Sequence, residues 1–234
     1  MILLLIATFL FAYQAKVEPI EIYNISAKTN ADVIFVQKEG SYINGTFLKQ
    51  DSKQEEIDLK KIINQIAITK DKINLQKEIV AKKEEIYKRF KRLKTKSLEE
   101  KNLKFYDYAN AKMQLLNLKN ELNSLIATKE KLQDIIEKKS LKAKGYLYKL
   151  FVKKGEFAPA GKIVAQIADI SKQKVTIYIP INQKIPNKIK IKNHIFTLYK
   201  KITIPDSTYI TSYKVEYIGD GLKFGEIVTI KLKD

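Results

Sequence analysis

The sequence predicts an elongated chain of mixed α and β structure. A β unit is split by an inserted antiparallel α-helical coiled-coil hairpin, and a small antiparallel β-barrel follows it. Three observations predict this. Two β-type segments far apart in the chain, residues 31–50 and 145–166, are near-copies, and FVQKEGSYINGTFLKQ aligns without gaps on FVKKGEFAPAGKIVAQ. The alignment sets Phe35-Val36 on Phe151-Val152, Gly45 on Gly161 and Gln50 on Gln166, and only the inner glycine slips, Gly40 against Gly155. Between the copies, apolar residues recur every seven positions. After the second copy, short alternating segments separated by turn residues run to the end of the chain.

Length and composition bound the answer. A chain of 234 residues makes one or two domains, and 45% hydrophobic with 30% charged residues is the balance of a folded protein with much exposed surface. There is no cysteine, which excludes a disulfide framework, a thiolate metal site and a thiol nucleophile. The formal charge is +18, yet of the 44 basic residues only Arg89 and Arg92 are arginines. Base-edge and phosphate recognition favours the bidentate guanidinium fork, so the balance argues against nucleic acid as a partner. Attraction to an anionic membrane surface or an acidic partner fits it better.

Residues 2–12, ILLLIATFLFA, are uncharged and apolar. They fall short of the roughly 20 residues that span a bilayer, and they suit the core of a secretory signal, with Ala12 and Ala15 as small residues near a cleavage point. Residues 1–15 are therefore expected to be a signal peptide or a short N-terminal anchor. No cysteine follows, which excludes a lipid anchor on that side chain.

The hairpin is expected over residues 53–139. From Lys53 to Lys94 there is no Gly or Pro, and Leu59, Ile66, Ile73, Val80 and Tyr87 recur every seven residues, with Ile79, Ile86 and Leu93 as a second series. A stripe this narrow with polar flanks reads as a coiled-coil seam. Ser97 followed three residues later by Glu100 has capping-box spacing, so a second helix is expected to start at Leu98. That helix carries Ala111, Leu115, Leu118, Leu122, Leu125, Lys129, Leu132 and Ile136 at alternating spacings of four and three. The arms match at about 41 residues, which predicts an antiparallel fold-back reaching roughly 60 Å.

Beyond the hairpin the period falls to two. Residues 146–152, 162–170, 174–180, 188–192, 195–199, 213–218 and 227–232 read as strands. Pro186-Asn187, Asn193-His194, Pro205-Asp206-Ser207 and Gly219-Asp220-Gly221 read as turns. The two halves of the split unit are expected at 25–52 and 140–171, and the barrel at 172–234.

Catalytic chemistry finds little support. The one histidine, His194, falls in an expected turn with no cysteine or second histidine, whereas metal sites need several convergent ligands. The carboxylates cluster among lysines on helix flanks, where solvation explains them better than paired acid–base work. No Gly-rich phosphate loop precedes a helix, and Gly40, Gly45, Gly155 and Gly161 are expected at β-turns. The sequence thus offers no catalytic, cofactor-binding or metal-binding residues.

The repeated half-motif resembles one half of a biotinyl/lipoyl domain, a barrel-sandwich hybrid of two intertwined halves. In carrier domains a modified lysine sits at the turn joining the halves; here the hairpin occupies that junction. A lipoyl-like domain split in this way is similar to the periplasmic adaptor, or HlyD-like membrane fusion protein, family of tripartite efflux and type I secretion systems. LKAKGYLYKLFVKKGEFAPAGKIVAQIADISKQKVTIYIP is close to the family pattern, and TSYKVEYIGDGLKFGEIVTIKL is similar to its closing barrel strands. Asn30 stands where a glycine is usual, and Ala143-Lys144 where Ala-Pro is common.

The resemblance implies a non-enzymatic subunit in the periplasm, at the inner membrane of a diderm bacterium. Its implied partners are an inner-membrane transporter of RND, ABC or MFS type, an outer-membrane TolC-like channel, and further copies of itself in a ring of six. It implies that the hairpin tip docks on the channel through an arginine, a leucine and a serine, here Arg89, Leu93 and Ser97, with Arg92 beside them. Two other readings stay open at this point: a lipoyl-like carrier or regulatory protein, and a coiled-coil scaffold with a basic surface.

Overall fold

A computed structural model describes residues 12–205 and 207–232. The expected signal segment lies outside the described residues up to residue 11. The chain divides into a helical unit, residues 50–141, and a β unit formed by the segments on either side of it.

The helical unit is α1, Lys53–Arg92, and α2, Leu98–Lys138. Both start with acidic residues, Glu55 and Glu56 in α1 and Glu99 and Glu100 in α2, and α1 ends with Arg89, Lys91 and Arg92, as the helix dipole favours. The helices lie antiparallel, since Thr69 reaches Glu121 and Gln76 reaches Gln114. On α2 the less exposed positions are those of the expected seam, from Ala111 to Ile136. On α1 one rail of the seam is Leu59, Ile66, Ile73, Val80 and Tyr87, but the other corrects the sequence reading: it is Ile62, Thr69, Gln76, Lys83 and Phe90. Ile79 and Leu93 are 36% and 40% exposed. Polar residues hold the middle of this rail because they find partners across the seam: the Gln76 amide donates to the Ala111 carbonyl (2.9 Å) and to Gln114 Oε1 (3.2 Å). At the base, the buried Lys139 ammonium donates to Glu55 (2.5 Å) and to the Asp51 carbonyl (2.7 Å).

The β unit contains β1 Ala12–Ser26, β2 Ala31–Val36, β3 Tyr42–Gln50, β4 Ser140–Leu150, β5 Phe157–Ala158, β6 Ile163–Pro180, β7 Lys188–Ile191, β8 His194–Ile202, β9 Ser212–Gly219 and β10 Ile227–Lys231. In its first part the two halves interlock. β2 of the first half pairs with β5 of the second, and the Val33 N–H donates to Glu156 while Gly155 donates back to Val33. Reciprocally, the Gly40 turn of the first half donates to Leu147 of β4, whose own N–H returns to Ser41. Val33, Ile43, Phe47, Leu147, Val164 and Ile167 are buried here, at most 1% exposed. Asn30 is used as a cap on its counterpart half, accepting from the Ala160 N–H at 2.7 Å.

The second part is a sheet in the order β10-β1-β6-β9-β8-β7, curled so that β7 approaches β10. It encloses a core that includes Val17, Val175, Ile177, Ile179, Phe196, Val215, Tyr217 and Ile230. Two features correct the sequence reading. Residues 12–16 are a strand paired with β10, so this sheet begins well before residue 172, and Ala15, placed at a cleavage point from sequence, is buried in its core. The alternation of Tyr13, Ala15 and Val17 with Gln14, Lys16 and Glu18 accounts for that strand. The expected break after residue 170 is also absent: β6 runs unbroken from the interlocked part into the curled sheet, and β1 follows it with a register shift between Pro19 and Glu21.

Candidate functional site: the hairpin tip

The tip joins the last turn of α1 to the first turn of α2. Helix α1 ends at Arg92, and Leu93 leaves the helical path with φ −77° and ψ 124°, its N–H reaching the Phe90 carbonyl at 3.1 Å. Leu93 therefore no longer continues the seven-residue series to which the sequence assigned it. It stands 40% exposed, beside the exposed Arg89 and Arg92.

Ser97 is the N-cap of α2. Its Oγ accepts from the Glu100 N–H (3.1 Å), and its own N–H donates to Glu100 Oε2 (3.0 Å), completing the capping box. The Lys96 ammonium at 2.9 Å, and after it the Ser97 N–H, hold the Glu100 carboxyl below the usual carboxylate range. Ser97 thus has a structural task that fixes where the second helix starts.

Below the turn lies an aromatic cluster that the sequence reading did not single out. Tyr87 stacks on Tyr108 (6.1 Å between ring centres) and meets Phe105 at a tilt (5.5 Å). The Phe90 ring lies under the Lys96 and Lys104 ammonium groups, 5.5 and 5.8 Å from its centre. The signal was present in Tyr87 and Phe90 facing FYDY at 105–108, but the misassigned second rail hid it. Leu98, Leu103 and Tyr106 are exposed around the cluster, at 73%, 57% and 61%. Between residues 82 and 104, ten basic side chains stand against four acidic ones. The tip is a rigidly capped, basic surface with apolar side chains displayed on it, a combination that suits docking on an acidic, partly apolar surface.

The candidate glycines sit in the β unit. Gly40, Gly155 and Gly161 occupy turns, at φ +84°, +89° and +86°. Gly45 is a correction: it lies inside β3 with φ +127°, so the gap-free copies differ here in backbone, a strand in one and a turn in the other. The cause is pairing: β3 carries on as one strand between β2 and β4, whereas its counterpart breaks into β5 and β6. His194 opens β8 and packs on Gly221, where an added Cβ would fall 2.1 Å from its Nδ1. Among the described residues, no group of three or more His, Cys, Asp or Glu is gathered as a metal ion would require.

No protein-family model matches the chain, and no curated protein sequence matches it. Solved structures do. MacA from Actinobacillus actinomycetemcomitans superposes with a TM-score of 0.75 at 15% identity, over 95% of this chain and 78% of that one. The membrane fusion protein Spr0693 from Streptococcus pneumoniae R6 gives 0.66 at 13% identity, over 95% and 98%. The chain has the membrane fusion protein fold. A third structure, the periplasmic adaptor protein EmrA, covers 95% of this chain and 99% of its own at a TM-score of 0.54 and 14% identity. In this fold α1 and α2 are the helical hairpin, and the strands on either side of it in sequence make the antiparallel sheet.

Proposed function

We propose that this chain is an adaptor subunit that joins an inner-membrane transporter to an outer-membrane TolC-like channel in a tripartite efflux or type I secretion system. Copies assemble side by side, six to a ring, with the hairpin tips meeting the channel. The observation that carries this reading is the tip itself. Arg89, Arg92 and Leu93 are displayed on a helix end that the Ser97–Glu100 box and the aromatic cluster hold in one shape. The likeness of fold to MacA, EmrA and Spr0693 supports it, since two of these are named as a periplasmic adaptor and a membrane fusion protein. So does the place of the insertion, at the junction where a lipoyl carrier would hold its lysine. On this reading the subunit binds and positions its partners and performs no reaction.

Export by the intact system tests the reading. Arg89→Glu combined with Leu93→Asp is expected to abolish substrate export or drug tolerance while leaving the helical circular dichroism and the thermal midpoint unchanged. Unchanged export in the double variant would remove the docking role from the tip.

A further inference from the structure

We infer that the outer edge of β1 over residues 21–25 is a docking edge that takes up an extended, basic strand of a partner protein. β6 is paired on both sides here, since its residues 165–168 meet residues 22–25 of β1 and residues 146–150 of β4. β1 has a neighbour on one side only. Its residues 12–16 pair with β10, and Val17 still exchanges backbone bonds with Gly225 and Glu226 (both 2.8 Å). Beyond that point no strand among the described residues lies along the outer edge of β1. Residues 21–24 are exposed one after another, with Ile22 at 43% and Tyr23 at 36%. An open row of backbone N–H and C=O groups is a template for one more strand.

Exposed edges are ordinarily blunted by lysine, proline or a bulge. Here Pro19 and the register shift after it stop short of the edge, which reads EIYNI, rich in β-branched and aromatic residues. The chain carries 44 basic residues, yet none falls between Val17 and Ala27, where Glu18 and Glu21 stand instead. Among the described residues neither carboxylate forms an ion pair. Lys174, opposite Glu18 in register, donates to the Ile20 carbonyl (2.7 Å). In a chain of charge +18, this local acidity selects a basic occupant. It also disfavours the same edge of a second copy, which would bring like charges together.

Side chains of an added strand find a recess on each face, because Ile22 and Tyr23 point to opposite sides. Ile22 lines a recess of about 670 Å³ with Tyr146, Tyr148, Ile170 and Phe224. Tyr23 lines one of about 490 Å³ with Tyr42 and Asp169. In strand addition the backbone bonds supply affinity, and recesses for alternate side chains supply the choice of sequence. The inference goes beyond the adaptor reading and stands without it, because it needs only a polypeptide of this chemistry.

The test uses the full chain and a short acetylated peptide of alternating lysine and valine with a fluorophore at its end. With the peptide bound, amide hydrogen exchange at residues 21–25 is expected to slow about tenfold or more, with no change along α1 and α2. The same peptide N-methylated throughout cannot donate to the edge, and is expected to bind at least about tenfold more weakly. Glu18→Lys with Glu21→Lys, at two exposed positions, is expected to weaken binding of the unmethylated peptide about tenfold with unchanged circular dichroism. A glutamate–valine peptide is expected not to bind. Unchanged exchange at residues 21–25 under saturating lysine peptide would overturn the inference. Equal binding of the N-methylated peptide would overturn it too, because no ladder would then form. Equal binding of the glutamate peptide would overturn the choice of a basic partner. Protection at residues 21–25 that grows with protein concentration without peptide would overturn it in favour of an interface between copies.

Discussion

Gly40 donates its backbone N–H to the Leu147 carbonyl at 2.9 Å, although the whole helical hairpin lies between them in sequence. Leu147 returns its own N–H to Ser41 at the same distance. The β halves on either side of the insertion are thereby one folded body, closed by contacts that span the hairpin. Closure of this kind lets a long insertion leave the body without opening it, because each half completes the other's turn.

The strand that carries Leu147 pairs antiparallel with β6 and comes closest to it at Gly145, and that approach sets the first prediction. Gly145 has φ +141°, and a Cβ there would lie 2.8 Å from the Ala168 carbonyl oxygen and 2.9 Å from Ile167 Cγ2. Gly145→Ala is expected to cost about 3 kcal/mol of stability, combining strain and clash. Gly45→Ala, at φ +127° with nothing within 4 Å, is expected to cost only the backbone strain, about 1 kcal/mol. Chemical denaturation of both variants checks the difference.

The polar middle of the α1 rail sets the second. Gln76 is 9% exposed and bonded across the seam, but neither acceptor would be stranded by its loss. The Ala111 carbonyl lies within α2, and Gln114 is exposed to water. Gln76→Leu is therefore expected to stabilise the hairpin by about 1 kcal/mol, seen as a higher thermal midpoint of the helical signal. A lower midpoint would mean that the amide contributes more than its burial costs.

At the base of the hairpin the outcome reverses. The Lys139 side chain is 8% exposed and Glu55 24%, at 2.5 Å from each other. Lys139→Met leaves Glu55 and the Asp51 carbonyl without their donor and is expected to cost about 2 kcal/mol. Adding Glu55→Gln is expected to recover part of that loss, and a double-mutant cycle on the unfolding free energy measures the coupling.

Alkaline pH probes the core of the curled sheet. Burial pushes the Tyr217 phenol up to about 12, and its hydroxyl donates to the Pro186 carbonyl at 2.9 Å. In the unfolded chain the phenol ionises near 10. The stabilising contribution of the neutral phenol is therefore whole below about pH 10 and is lost as pH rises towards 12. Tyr217→Phe is expected to be less stable than the parent by about 1 kcal/mol at pH 8, from the lost hydrogen bond. The gap is expected to close by pH 11. Urea midpoints of the two proteins across that range read the effect, and a constant gap would contradict it.

The α2 seam was legible because Leu115, Leu118, Leu122 and Leu125 carry the period in apolar residues. On α1 the true second rail holds the buried Thr69 and Gln76, which bond to partners across the seam that periodicity does not reveal. The pairing of residues 12–16 was hidden by the apolar run before them, which drew Ala12 and Ala15 into a leader rather than a strand. Gly45 reads as a β-turn residue because glycine favours positive φ, and only the pairing of β3 on both sides shows that it lies within a strand. At the tip, Arg89, Arg92 and Leu93 stand out as the place where both arginines fall. The lysine-covered Phe90 ring needs the helices paired before it can be seen.

The central claim is that the tip meets an outer-membrane channel, and a photo-cross-linking amino acid at Leu93, 40% exposed just past the end of α1, tests it most directly. In intact cells, ultraviolet exposure is expected to join this position to an outer-membrane channel protein, with the same probe at the buried Ile73 giving no such product. Cross-links from Leu93 to cytoplasmic proteins, or none to any outer-membrane protein while export proceeds, would contradict the account.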